Sequence, residues 1–284
     1  MQSNTRLMEL FDETLDINAT ENYELSIQAG PDGFSFSILD TLRNKIVMIR
    51  SFDPDDTKYF NAENIRDFIS RDDFLTRTYK KVRLLTTSPK FTLVPSALYD
   101  PAKKDEYFTF NHRKEKDEVI LANKIKDPDA FLIYSVKSSL FDVLKEFYPG
   151  IYPLSHLYTI FCHTSHARKE TNPNYIHVHI ERDYFNLIIF GHYELKLCNT
   201  FSYRNISDIM YFVLNAFNKL EIKQNETIYL SGLAEKYDDL SSNLAIYIKN
   251  VRFSEVWGNF TFSYVFNDIE KHRYINLFSV FNCE

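Results

Sequence analysis

Five side chains able to bind a metal or share a proton crowd one stretch of this sequence: Cys162, His163, His166, His177 and His179. On a strand His177 and His179 point to one face, and on a helix Cys162 and His166 stack one turn apart. Tetrahedral zinc needs four such ligands converging at about 2.0–2.3 Å. The spacing matches no established finger or ribbon, and Arg168 and Lys169 interrupt it. These histidines therefore read as partly exposed residues at a domain boundary, and no metal is expected. A Cys162–His163 catalytic pair fails on geometry, because adjacent residues on one helix or strand do not turn thiol and imidazole toward each other. Asp53-Pro54-Asp55-Asp56 has the oxygen density of a calcium loop without its later ligands, and reads as a solvated turn. Nucleophile-elbow, Walker, dinucleotide-binding and zinc-protease patterns are absent.

Whatever chemistry the chain has must be positioned by a fold, and composition limits which. The 284 residues carry 33 Lys+Arg against 39 Asp+Glu, a formal net charge of −6, so there is no basic field for nucleic acid. The basic runs Lys80-Lys81 and His112-Arg113-Lys114 alternate with acids and read as solvated faces. Apolar residues at 44% and charged residues at 25% exclude intrinsic disorder. The first residues carry no apolar core of signal-peptide length, and no stretch approaches the roughly 18 apolar residues of a membrane span. The expected location is cytoplasmic. Cys162, Cys198 and Cys283, odd in number and widely spaced, read as reduced thiols, two buried and one at a frayed C-terminus. The 25 Phe and 19 Tyr are mostly core. A surplus in the C-terminal third, with Trp257, Phe260, Phe262, Tyr264, Phe266, Phe278 and Phe281, is where an exposed partner-binding patch would lie.

A long-period repeat organises the elements. From Tyr23 (YELSIQAGPDGFSFSILDTLRNKIVMIRSF) and again from Tyr175 (YIHVHIERDYFNLIIFGHYELKLCNTFSY), three β-rich runs are separated by polar turns. Each meander leads to a helix, over residues 61–70 and 205–220, the second with Asn205 as N-cap and an apolar stripe from Ile206 to Leu220. Each helix leads to another strand, over 82–86 and 227–231. Strand, strand, strand, helix, strand, given twice, predicts an α/β chain of two halves, each on a mixed sheet. Further strands are expected over 91–95, 107–110, 131–136 and 251–253. Further helices are expected from a Ser138 cap to Phe147, over 235–248, and over 268–281. The polar stretch 164–174 is the expected boundary, giving a first half of residues 1–168 and a second of 169–284, whose final helix packs back on the first.

This duplicated meander resembles the actin-like ATPase superfamily, whose halves are ribonuclease-H-like sheets. The meander from Tyr175 and its helix look like those of pilus-assembly and cell-division members. The stretch Phe91–Asp100 (FTLVPSALYD) looks like an uncharacterised bacterial family of about this size with that fold. The resemblance implies an ATP cleft between the halves, phosphate loops at the two meander turns, a carboxylate holding Mg²⁺ through water, and a glycine turn for the adenosine. The positions that match are Gly30, Asp32 and Gly33 in the first turn, Glu181 and Asp183 in the second, and Gly232 in the adenosine turn. Departures are many. Gln28 stands where a strand-end aspartate belongs, the second turn has no glycine, Arg182, Tyr184 and Phe185 crowd it, and Gly232 is single where the family has two. The expected function is a non-catalytic scaffold or adaptor with a degenerate nucleotide cleft, acting on a protein partner or on itself, with no required cofactor. The alternative is an ATP-binding protein or weak ATPase using Mg²⁺ and these residues. A nuclease site is a third reading, disfavoured because the central strands carry few acids.

Overall fold

The alternating runs form strands and the apolar stripes form helices, in a computed structural model that describes residues 5–31, 33–54, 61–170, 174–192, 194–235 and 238–283. The chain divides into two units, one of residues 1–162, 258–269 and 276–284, the other of 163–257 and 270–275.

In the first unit the strands are β1 (Thr5–Phe11), β2 (Tyr23–Gly30), β3 (Gly33–Asp40) and β4 (Lys45–Pro54), followed by helix α1 (Ala62–Arg71) and β5 (Lys81–Thr86). β2, β3 and β4 form an antiparallel meander, β1 adds antiparallel to β4, and β5 returns parallel to β2. The Asn61 side chain caps α1 by accepting from the Asn64 amide at 2.9 Å, and Ile65 and Ile69 are buried beneath it. β6 (Phe91–Pro95), α2 (Lys104–Asn111), β7 (Glu118–Ile125) and β8 (Ala130–Lys137) make a separate antiparallel sheet, order β6-β8-β7, closed over Phe108. Then come α3 (Ser138–Phe147), β9 (Leu154–Ser155), parallel to β5, and α4 (His156–Glu170), within which the division between units falls.

The second unit holds β10 (Tyr175–Ile180), β11 (Tyr184–Gly191), β12 (Glu194–Ser202), α5 (Ile206–Lys219), β13 (Thr227–Gly232), α6 (Asp239–Tyr247) and β14 (Asn250–Phe253). The sheet order is β12-β11-β10-β13-β14, with the first three strands antiparallel and the last two parallel to β10. The strand and helix order of β2 to β5 thus recurs in β10 to β13. Asn205 and Asp208 form a reciprocal capping box at the start of α5. One face of the sheet buries Val178, Phe185, Leu187 and Leu230 against Val213 of α5 and Leu244 of α6. The chain then returns to the first unit through β15 (Thr261–Phe262), parallel to β4, and ends with α7 (Ile275–Ser279) and a short turn of 3₁₀ helix.

Several elements differ from expectation. Residues 107–110 lie in α2, not a strand, because Asp105 and Glu106 in its first turn suit a helix N-terminus better than the aromatic run suits a sheet. Ser138 is the first residue of α3 rather than its cap; Lys137 holds the cap position. The polar stretch from Thr164 continues α4 to residue 170 instead of forming a linker, with Thr164, Ala167 and Arg168 buried. Residues 268–281 form short turns and the five-residue α7, not one long helix. Phe266, Phe278 and Phe281 are core, Trp257, Phe260 and Phe262 half-buried, and only Tyr264 of that aromatic group stands exposed, so they form no open patch. Cys283 is buried rather than frayed, while Cys162 and Cys198 are half-buried. No helix among the described residues is long and apolar enough to cross a membrane. Of the Asp53–Asp56 turn, Asp55 and Asp56 lie outside the described residues.

Candidate functional site

The first turn closes β2 onto β3, with Gly30 paired to Gly33 at the end of the ladder. Gly30 is buried, and a Cβ there would lie 1.9 Å from Thr87 Oγ1, so the missing side chain lets the end of β5 press against the hairpin. Thr86, Thr87 and Ser88 are all buried at that end. Asp32 lies outside the described residues. Sequence reasoning passed over Thr87, for which the signal was three hydroxyl residues directly after an apolar strand.

The second turn is held differently. The Glu181 amide donates to Tyr184 O at 2.9 Å, the Tyr203 amide to Asp183 O at 3.1 Å, and the Tyr203 hydroxyl to Glu181 O at 2.6 Å. The backbone of this tip is thus bonded to itself and to Tyr203. Asp183 is exposed, whereas Glu181 is buried. Phe185 does not crowd the tip: its ring lies in the core, 5.4 Å from that of Phe201. Gly232 is brought beside this turn, paired with Ile180 in the parallel ladder. Its φ is 75°, and a Cβ would lie 2.1 Å from Ile180 O, which accepts the Leu233 amide at 2.8 Å. Only glycine fits there, for reasons of backbone approach.

Behind the tip runs a buried polar chain. Because β10 is covered on both faces, the side of the strand away from the apolar core still buries Tyr175, His177 and His179. His177 Nε2 lies 2.7 Å and His179 Nδ1 2.8 Å from Ser231 Oγ, and His179 Nε2 lies 3.1 Å from Glu181 Oε1. If the ionised Glu181 accepts from His179, the tautomers follow: Ser231 donates to His179 and accepts from His177, leaving His177 Nδ1 as a bare acceptor. No partner for that atom, or for either ring nitrogen of His163, lies among the described residues. The His163 ring is 6.0 Å from that of His177. Burial pushes His163 down to about 3, helped by His166, and burial with the neighbouring imidazoles holds His177 well below the ordinary histidine value. Both are neutral at pH 7. The histidines expected at the surface are instead interior, save His166, and hydropathy could not find them because Ser231, the partner shared by His177 and His179, lies more than fifty residues away in sequence.

Ser231, His179 and Glu181 have the atoms of a hydrolytic triad, but Ser231 is fully buried with its hydroxyl shared between two imidazoles. No acyl substrate reaches it. Among the described residues no three His, Cys, Asp or Glu side chains are grouped to hold a metal.

A protein from Bacteroides thetaiotaomicron described as having an actin-like ATPase fold and unknown function superposes with a TM-score of 0.80 at 23% identity, covering 95% of this chain and 100% of that one. The type IV pilus biogenesis complex PilM–PilN matches with a TM-score of 0.55 at 11% identity, covering 92% and 98%. The chain therefore has the actin-like ATPase fold. A family model described as "Protein of unknown function (DUF3822)" matches residues 12–251. No curated protein matches the chain.

Proposed function

The chain belongs to this DUF3822 family, and on its actin-like ATPase fold we propose that it is a non-catalytic scaffold or adaptor, with a degenerate nucleotide site and protein binding as its activity. The observation that carries the reading is the self-bonded second turn. A phosphate loop works by presenting free backbone N–H groups that offset the desolvation of a polyanion. Here the Glu181 amide is spent on Tyr184 O, and the Glu181 carboxylate, a candidate metal holder, faces His179 instead. His163 and His177, deeper in the same polar chain, are neutral and add no positive charge. Gly232 is accounted for by its approach to Ile180 O without any base to cradle.

Exposed apolar residues supply material for partner binding: Phe110 at 90% and Leu98 at 69% in the first unit, Ile246 at 71% and Tyr211 at 64% in the second. That a fold neighbour belongs to the PilM–PilN complex agrees with this. One observation favours the alternative, an ATP-binding protein or weak ATPase: the first turn keeps both Gly30 and Gly33. Isothermal titration of the whole chain with ATP and Mg²⁺ separates the two. The scaffold reading expects no binding tighter than about 1 mM. Tighter, magnesium-dependent binding with phosphate release makes it an ATPase, and binding without release makes it a nucleotide-gated interaction protein.

A further inference from the structure

The sheet of the second unit ends on β12, and that end has a counterpart in the first unit. β12 is the third strand of its meander, as β4 is of the other. β4 does not end its sheet: β1, seven residues long, pairs with it antiparallel from Thr5 to Phe11. Among the described residues no strand pairs with the outer side of β12. The repeat itself thus shows the kind of cover this edge takes, an antiparallel strand.

The ladder marks which stretch is open. The Tyr203 amide donates to Asp183 O, so in the antiparallel pattern Leu197, Asn199, Phe201 and Tyr203 turn their main-chain groups to β11. Cys198, Thr200 and Ser202 turn theirs outward. On that side Asn199 Oδ1 accepts from the Thr200 amide at 3.0 Å, a side chain lying where a neighbouring strand would bond. Before Leu197 the register slips at Lys196, whose ammonium is held by Glu194 at 2.7 Å, and a bulge with a charge blunts an edge. Pairing is therefore confined to residues 197–203, a stretch as long as β1. Beside it the rings of Phe185, Phe201, Phe212 and Tyr211 follow one another at 5.4, 4.4 and 5.3 Å, from the core to a Tyr211 that is 64% exposed.

We propose that β12 pairs antiparallel with β12 of a second copy of this chain, about a two-fold axis at Thr200, joining the two sheets into one. The proposal rests on the protein-binding reading above and names its partner. The register is self-complementary: Thr200 meets its own counterpart, Cys198 meets Ser202 of the other copy, Asn199 meets Phe201, and Leu197 meets Tyr203. No charged side chain lies inside the stretch. Because such an axis stands perpendicular to the sheet, both copies carry α5 on the same face, and the two rows of rings lie side by side.

The test is sedimentation of the whole chain from about 5 to 500 μM, where reversible monomer–dimer association is expected. Thr200→Lys, which sets two like charges opposite each other, should weaken it at least about tenfold. Asn199→Ala, which releases the Thr200 amide, should tighten it about fivefold. Ser202→Cys reads the register and keeps the test decisive if Thr200→Lys does not fold. Within one chain residues 198 and 202 are about 13 Å apart along the strand, too far for a disulfide, while across the axis their Cα atoms lie about 5.5 Å apart. Mild oxidation should convert Ser202→Cys to a covalent dimer, and adding Cys198→Ser should abolish it. A chain monomeric throughout, its edge left to a strand of another protein, overturns the proposal. So does a dimer untouched by Thr200→Lys, or one without the cross-link through Cys198. The scaffold reading fails separately, on tight magnesium-dependent ATP binding, and survives a monomer that binds no nucleotide.

Discussion

The two hairpin tips sit at corresponding places in two sheets of like strand order, yet different forces hold them. At the first, two glycines face each other across the ladder and a threonine hydroxyl fills the space a side chain would take. At the second no glycine is present, and three hydrogen bonds involving Glu181, Asp183, Tyr184 and Tyr203 close the tip. A backbone left bare by glycine offers its amides to whatever approaches; a backbone bonded to itself does not. At the second tip one amide, that of Glu181, and the carbonyls of Glu181, Asp183 and Tyr184 are spent, and bulk does not account for this, since Phe185 is turned into the core.

The sharpest way to break this comparison is at the glycine beside the second tip. Gly232→Ala places a Cβ against a main-chain carbonyl at positive φ, neither of which can give way, so a loss of about 3 kcal/mol or more is expected in urea unfolding. A loss below about 1 kcal/mol would mean that the two strand ends are held less tightly than described.

Next in size is the polar chain's response to acid. Folded His163 stays neutral down to about pH 3, whereas the unfolded imidazole takes up its proton near 6.5. The unfolded state therefore binds more protons in that window. Stability is full above pH 6.5 and falls as the pH drops toward 3, by on the order of 2 kcal/mol at pH 5 from His163 alone. Urea midpoints measured from pH 7.5 to 4.5 should show this slope, and His163→Phe should flatten it. An unchanged slope in that variant would place the titration elsewhere.

A smaller effect, about 1 kcal/mol, is expected for Gly30→Ala, because its neighbour is a side-chain hydroxyl that can rotate. The double variant with Thr87→Ala should recover most of it, as no second substitution could for Gly232. Smallest of all is Arg182→Gly in the second tip: within about 0.5 kcal/mol in stability, and no gain in ATP-dependent heat, since the Glu181 amide stays committed to Tyr184. A nucleotide signal in that variant would show that side-chain bulk, rather than spent donors, closes the turn.

Much of the scaffold was legible in the sequence, because strands and helices with one apolar face announce their period. Helices α1 and α5 are of that kind, the strands of the two meanders show as apolar runs between polar turns, and Asn205 with Asp208 marks the start of α5. What could not be read were places where polarity is buried. The end of α4 passed for a linker because His163, Thr164 and Arg168 face inward, and a hydropathy pattern scores them as solvent-facing. Residues 275–281 are buried at every position, so no exposed face set the helix length. In α2 the pattern was ambiguous: Tyr107 to Phe110 suits a strand, and only the structure reveals Phe108 fully covered with Phe110 bare. At the candidate site, the sequence positions of the turns were readable, but the hydrogen bonds that occupy the second tip were not. They depend on Tyr203, some twenty residues away at the far end of the meander.

The return of the chain to its starting unit has a consequence for biogenesis. β15 lies along β4, and Leu277 satisfies the hydroxyl of Ser26, so strands made early in synthesis wait for residues made more than two hundred positions later. The second unit, nearly continuous in sequence, has all but a few residues of its own chain before then. The order of completion is thereby inverted: β2 and β4, made before the second unit, stay short of their full covering until residues 261–277 have followed it.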